Sequence, residues 1–126
     1  MQRNLNTPRL SILTGQQSIA QGNNRMINVP GKIHFAFTAT PWQYKGSGWV
    51  FVTVPKEMSD DIRRYFKKEE QGWGRLSIIA RSGNTTWPTA IWFDTQHQSY
   101  LLPLKSKIRK KENIAVGELL DVLIFV

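Results

Sequence analysis

Residues Arg75–Phe93 read RLSIIARSGNTTWPTAIWF, and this stretch decides the fold class. Leu76, Ile78 and Ala80 fall on one face of an alternating run. Ser82-Gly83-Asn84 is a turn signal, and after it Trp87, Thr89, Ile91 and Phe93 again share one side. A period of two on both flanks of a turn predicts neighbouring half-buried strands, because successive side chains of a strand point to opposite faces.

The pattern continues outward in both directions. Upstream, Ile33, Phe35, Phe37 and Ala39 alternate from Lys32 onward, and Pro41 with Lys45-Gly46-Ser47-Gly48 punctuates a turn. Trp49–Val54 is made wholly of β-formers, apolar on both faces, which predicts a strand buried on both sides and ended by Pro55. Ser59 is a good N-cap, with Asp60 and Asp61 behind it and Ile62, Tyr65 and Phe66 at helical spacing. These predict one short helix over residues 59–69, broken by Gln71-Gly72-Trp73-Gly74. Downstream, Asp94–Gln98 is a polar turn, Tyr100, Leu102 and Leu104 alternate, and the chain is expected to stay extended through Ile108. Turns at Glu112-Asn113 and Val116-Gly117-Glu118 precede a last strand carrying Leu120, Val122, Ile124 and Val126. The expected fold is mainly β: a small closed or partly open β-barrel of six or seven short strands with that one helix.

Bulk properties bound the rest. A chain of 126 residues suits one domain and buries roughly two-thirds of its unfolded surface. Residues 1–31 read as a polar extension, disordered or edge-pairing through Leu10–Leu13, ahead of a β-barrel domain at 32–126. That extension carries Arg3, Arg9 and Arg25, and Gln, Asn and Ser dominate from Gln16 to Asn24. With no cysteine, disulfides, thiolate metal sites and cysteine nucleophiles are excluded. No stretch approaches the roughly 20 apolar residues of a spanning helix, and Met1–Pro8 lacks the apolar core of a signal peptide, so no membrane association and a cytoplasmic location are expected. Lys and Arg number 17 against 9 Asp and Glu, a field that attracts polyanions and also simply keeps a protein soluble.

Catalytic chemistry finds little support. His34 and His97 are the only histidines. The first is expected on the solvent side of its strand, and the second reads as a solvated turn residue beside Asp94. No nucleophile elbow, phosphate loop, dinucleotide fingerprint or metal-ligand spacing is present. Asp60-Asp61 and Glu69-Glu70 suit the ends of a helix. No catalytic residue, metal ligand or cofactor is assigned.

Several segments, in order, resemble a bacterial family: Phe35-Ala36-Phe37, Trp49-Val50-Phe51-Val52 with Val54-Pro55, Ser59 with Ile62 and Phe66, Gly74-Arg75-Leu76, Thr86-Trp87, Tyr100-Leu101-Leu102-Pro103-Leu104-Lys105, Ile108-Arg109-Lys110 and Val116-Gly117-Glu118. The family is one of small β-barrels known only as a domain of unknown function, standing alone or fused to a YdeI/OmpD-associated (bacteriocin-protection) domain. The resemblance covers Lys32–Val126 and implies a closed small barrel. It departs in the N-terminal extension, in the inserted Gln71-Gly72-Trp73, and in Glu118 where Asp is commoner. It transfers no catalytic residue.

The candidate binding residues come from charge and aromatics. In an extended strand Lys105, Lys107 and Arg109 would share one face opposite Leu104 and Ile108, and such like charges repel unless an anion relieves them. A solvated face or a lysine-guarded edge explains the same pattern. Arg75, Tyr100 and Trp92 join them as candidate contacts. Of the five tryptophans, Trp49 and Trp87 are expected in the core, and Trp42, Trp73 and Trp92 are less constrained. The leading expectation is a non-enzymatic binding module for an anionic ligand or protein partner. The alternatives are a nucleic-acid-binding barrel, which exposed aromatics beside cations would serve, and an enzyme with an unrecognised polar pocket. No oligomeric state is assigned.

Overall fold

The computed structural model describes residues 32–126 and the backbone of Ile12–Leu13. The rest of the extension, including Arg3, Arg9, Arg25 and Gln16–Asn24, lies outside the described residues. In chain order the strands are β1 (Ile12–Leu13), β2 (His34–Ala39), β3 (Trp42–Gln43), β4 (Val50–Thr53), β5 (Arg75–Ser82), β6 (Thr85–Asp94), β7 (Ser99–Pro103) and β8 (Leu120–Phe125). Helix α1 (Lys56–Phe66) follows β4, and α2 (Ser106–Lys111) follows β7. All pairings are antiparallel, in the order β1-β2-β8-β5-β6-β7-β4-β3. Among the described residues the terminal strands β1 and β3 do not pair, so the barrel is curled but open rather than closed.

One face of the sheet forms the core. Phe35 and Phe37, Val50 and Val52, Leu76 and Ile78, Trp87 and Ile91, Tyr100 and Leu102, and Val122 and Ile124 are all buried, as alternation predicts. Helix α1 seals this face with Met58 and Ile62 and with the half-buried Phe66. Among the described residues no helix is long and apolar enough to cross a membrane.

Three segments depart from the sequence reading. The main helix begins at Lys56, with Pro55 at its N-cap and a 3-10 turn over Lys67–Glu69. Ser59 is therefore not the cap. It is buried in the first turns, where its hydroxyl donates to the Val54 carbonyl at 3.1 Å and accepts the Tyr100 N–H at 3.0 Å, tying α1 to β7.

The expected strand through Ile108 is instead the helix α2. Leu104 and Ile108 are both buried, and they stand four residues apart, a separation that suits a strand of period 2 and a helix of period 3.6 equally. Pro103, with no N–H to donate, ends the strand. Lys105, Lys107 and Arg109 consequently do not share a face. At about 100° per residue Arg109 returns to the side of Lys105 and Lys107 points away.

His34, expected at the solvent, is fully buried edge-on against Phe125 at 4.4 Å. Neither ring nitrogen has a hydrogen-bond partner among the described residues, and burial pushes the imidazole below its ordinary value of 6.5. A histidine whose folded pKa is depressed contributes its full stability above the unfolded value and loses it as pH falls below about 6.5. Urea unfolding should thus give a lower free energy at pH 5 than at pH 7.5. His34→Phe should flatten that part of the slope, and an unchanged slope would clear His34 of the effect.

Candidate functional site

The outer face of the sheet carries the site. Its side chains alternate with the core residues: Arg75 beside Leu76, Trp92 beside Ile91, Leu101 beside Leu102, Phe51 beside Val52. Register sets them in rows. Arg75 pairs with Trp92, Trp92 with Leu101, and Leu101 with Thr53, while Pro103 pairs with Phe51 and Phe51 with Trp42.

Two adjoining clefts open on this face. The first, about 630 Å³, is walled by Trp42, Tyr44, Trp49, Phe51 and Trp92, with Leu101 and Pro103 beneath and Asp94, Gln96 and His97 at one end. The second, about 470 Å³, contains Arg75, Ser77 and Lys105 over Pro88 and Ala90. Trp49, Trp92 and Pro103 border both. The aromatic wall is ordered by its own packing. Trp49 lies nearly parallel to Phe51 at 5.9 Å, and Trp42 packs on Phe51 at 5.3 Å and donates its indole N–H to the Thr53 hydroxyl at 2.9 Å.

Trp49 was expected in the core and is instead 58% exposed. Strand β4 and the adjacent Val54 are buried on one side only, through Val50, Val52 and Val54, because the helix α1 covers that face of the sheet and nothing among the described residues covers the other. The apolar residues of its second side wall the cleft.

Arg75 is held in place. Its Nη1 donates to the Gln71 Oε1 at 3.0 Å and to the Ser77 hydroxyl at 3.3 Å, and its guanidinium carbon lies 5.8 Å from the centre of the Trp92 ring. The other guanidinium nitrogens make no hydrogen bond among the described residues. At the far end, His97 Nδ1 lies 2.7 Å from Asp94 Oδ2. The hydrogen bond from His97, chiefly, holds the Asp94 carboxyl below the usual carboxylate range. Asp94 is thus ionised at neutral pH, and the imidazole directs Nδ1–H toward it.

The six candidate residues divide in two. Arg75, Trp92 and Lys105 meet in the second cleft. Tyr100 lies on the opposite face, fully buried, with its hydroxyl donating to Glu70. Lys107 and Arg109 lie on α2 outside both clefts, and Arg109 Nε donates to the Leu104 carbonyl at 2.9 Å. Sequence reading sets His97 beside Asp94 in a solvated turn, where its side chain is 74% exposed, but does not place that pair or Trp49 at a cleft. The parity of Trp49 with Phe51 and Thr53 was a usable signal once the core side of β4 was known. Nothing in the sequence marks His97 as facing a cleft.

Among the described residues no group of three His, Asp or Glu side chains could hold a metal ion. The arrangement offers recognition chemistry: flat apolar walls, a positioned guanidinium with a lysine nearby, and a polar edge. No curated protein matches the chain. A family model described as a domain of unknown function, DUF1905, matches residues 37–124, from the second half of β2 through β8. The two clefts and every residue that lines them fall inside that span, and the chain belongs to the DUF1905 family.

Proposed function

We propose that the protein is a non-enzymatic binding module for an anionic ligand with a flat, apolar body. The observation that carries this reading is the meeting of Arg75 and Lys105 with Trp92 in a cleft that continues, past Trp49 and Trp92, into an aromatic one. A planar body packs on the tryptophan faces. The guanidinium fork suits a carboxylate or phosphate, and its existing hydrogen bonds reduce the ordering that binding requires. A cytoplasmic setting accords with the lack of cysteine.

Phenyl phosphate is a suitable probe, followed by tryptophan fluorescence. A charge-assisted hydrogen bond contributes about 1.5–3 kcal/mol, so Arg75→Glu should weaken binding about 10- to 150-fold. Lys105→Glu should weaken it in the same direction, whereas Lys107→Glu should leave it unchanged. Equal losses from Lys107→Glu and Arg75→Glu would move the anion site to α2 and overturn the reading.

A further inference from the structure

The aromatic cleft has a polar end. We infer that Gln96 and the Asp94–His97 pair read the edge of a nitrogen heterocycle, so that the ligand of this face is a nucleotide. The inference rests on the proposed anion-binding reading and narrows it.

Hydrogen bonds fix the backbone of the turn after β6. Asp94 Oδ1 accepts the Gln96 N–H at 3.0 Å, Gln98 Nε2 donates to the Thr95 carbonyl at 2.7 Å, and the Ser99 hydroxyl donates to the His97 carbonyl at 3.2 Å. Gln98 has φ of +54°, a left-handed conformation rare for a residue with a side chain. Such a conformation persists only where its surroundings over-determine it, and it is commoner at binding sites. With Nδ1 engaged by Asp94, Nε2 is the imidazole nitrogen left to meet a ligand. The Gln96 amide adds both a donor and an acceptor. An apolar ring gains nothing from this edge. A heterocycle carrying N–H and carbonyl groups along its rim matches it.

Spacing agrees with one ligand touching both ends. Arg75 is directly across from Trp92, and Asp94 lies two residues further along the same strand. Strand spacing of about 4.8 Å and a rise of about 3.3 Å per residue separate the backbones of Arg75 and Asp94 by roughly 8 Å. That is of the order of the separation between phosphate and base edge in a mononucleotide. Trp92 stands between them, a stacking surface for the ring. Clefts of about 630 and 470 Å³ fall within the usual range, about 300–1,000 Å³, for small-ligand sites.

The test titrates the full chain with AMP, GMP, CMP and UMP beside phenyl phosphate, which has the ring and the anion but no polar edge. At least one nucleotide should bind about tenfold tighter than phenyl phosphate, the factor expected of one or two neutral hydrogen bonds. His97→Ala and Gln96→Ala should erase that margin while leaving phenyl phosphate affinity as it was, which a merely structural role for the turn would not do. If phenyl phosphate binds and no nucleotide exceeds it, the inference fails and the anion-binding reading stands. If neither binds, both fail. A 5′-phosphorylated ten-residue oligonucleotide separates the sources. Tighter binding than any mononucleotide, with log affinity falling about 0.7 per neutralised phosphate against log salt, assigns the site to single strands. Equal affinity assigns it to free nucleotides.

Discussion

Tyr100→Ala should cost about 3–5 kcal/mol of folding stability, the cost of deleting a buried aromatic side chain. Tyr100 is fully buried, and its ring meets Phe93 edge-on at 5.1 Å. Its hydroxyl donates to Glu70, whose side chain is only 8% exposed. Arg63 completes the cluster, with Nε 3.7 Å from the Glu70 carboxylate and its guanidinium 3.7 Å above the Phe93 ring. Burial and the Glu70 carboxylate both push the phenol well above its ordinary range, so it remains a donor at any ordinary pH. Tyr100→Phe keeps the packing and removes that donor from a largely buried carboxylate. It should cost about 1.5–3 kcal/mol, as expected for a hydrogen bond to a charged group. Chemical denaturation of the two variants separates packing from hydrogen bonding. Tyr100→Phe should bind phenyl phosphate as the parent does, and a loss of binding with stability retained would return Tyr100 to the ligand site.

The case of Tyr100 shows how far the sequence is legible. Alternation placed Tyr100 with Leu102 and Leu104 correctly, and the same rule put Leu76, Ile78, Ala80, Trp87 and Ile91 on the core face where they are found. Period two assigns residues to one face or the other but does not say which apolar face is covered. At β4 the valine side is core and the Trp49–Phe51 side is cleft, a distinction made by which face α1 covers. At Leu104–Ile108 a four-residue separation fits both helix and strand, and the strand face it suggests for the basic run does not exist. Among the six candidate contacts, the sequence does not separate Arg75, Trp92 and Lys105 from the three that lie elsewhere. The meeting of Arg75, Trp92 and Lys105 follows from the pairing of β5 with β6 and the approach of β7, long-range facts that no local pattern carries.

Gly74→Ala is expected to affect both fold and site. Gly74 has φ of +71°, and a β-carbon there would lie 2.9 Å from the Phe93 Cβ and 3.3 Å from its backbone nitrogen. Neither of those atoms belongs to a flexible side-chain end, so the neighbouring strand itself must move. The left-handed conformation costs about 1–2 kcal/mol for a non-glycine residue, and overpacking adds about 1–3 kcal/mol. A total near 2–5 kcal/mol should show as a lower denaturation midpoint. The preceding residue leaves little room for relaxation, because Trp73 is itself left-handed at φ of +64°. The next residue is Arg75, whose backbone is bridged to Gln71 on both sides of the turn at 2.7 and 3.3 Å. Displacing β5 from Phe93 therefore moves the guanidinium away from Trp92 and out of the cleft. The variant should lose affinity for phenyl phosphate even at temperatures where it remains folded. Gly72→Ala is the control: its β-carbon meets nothing within 4 Å and its φ is not left-handed, so stability and binding should both hold. A Gly74→Ala protein that bound normally while destabilised would show that Arg75 keeps its place without the close approach of β5 to Phe93.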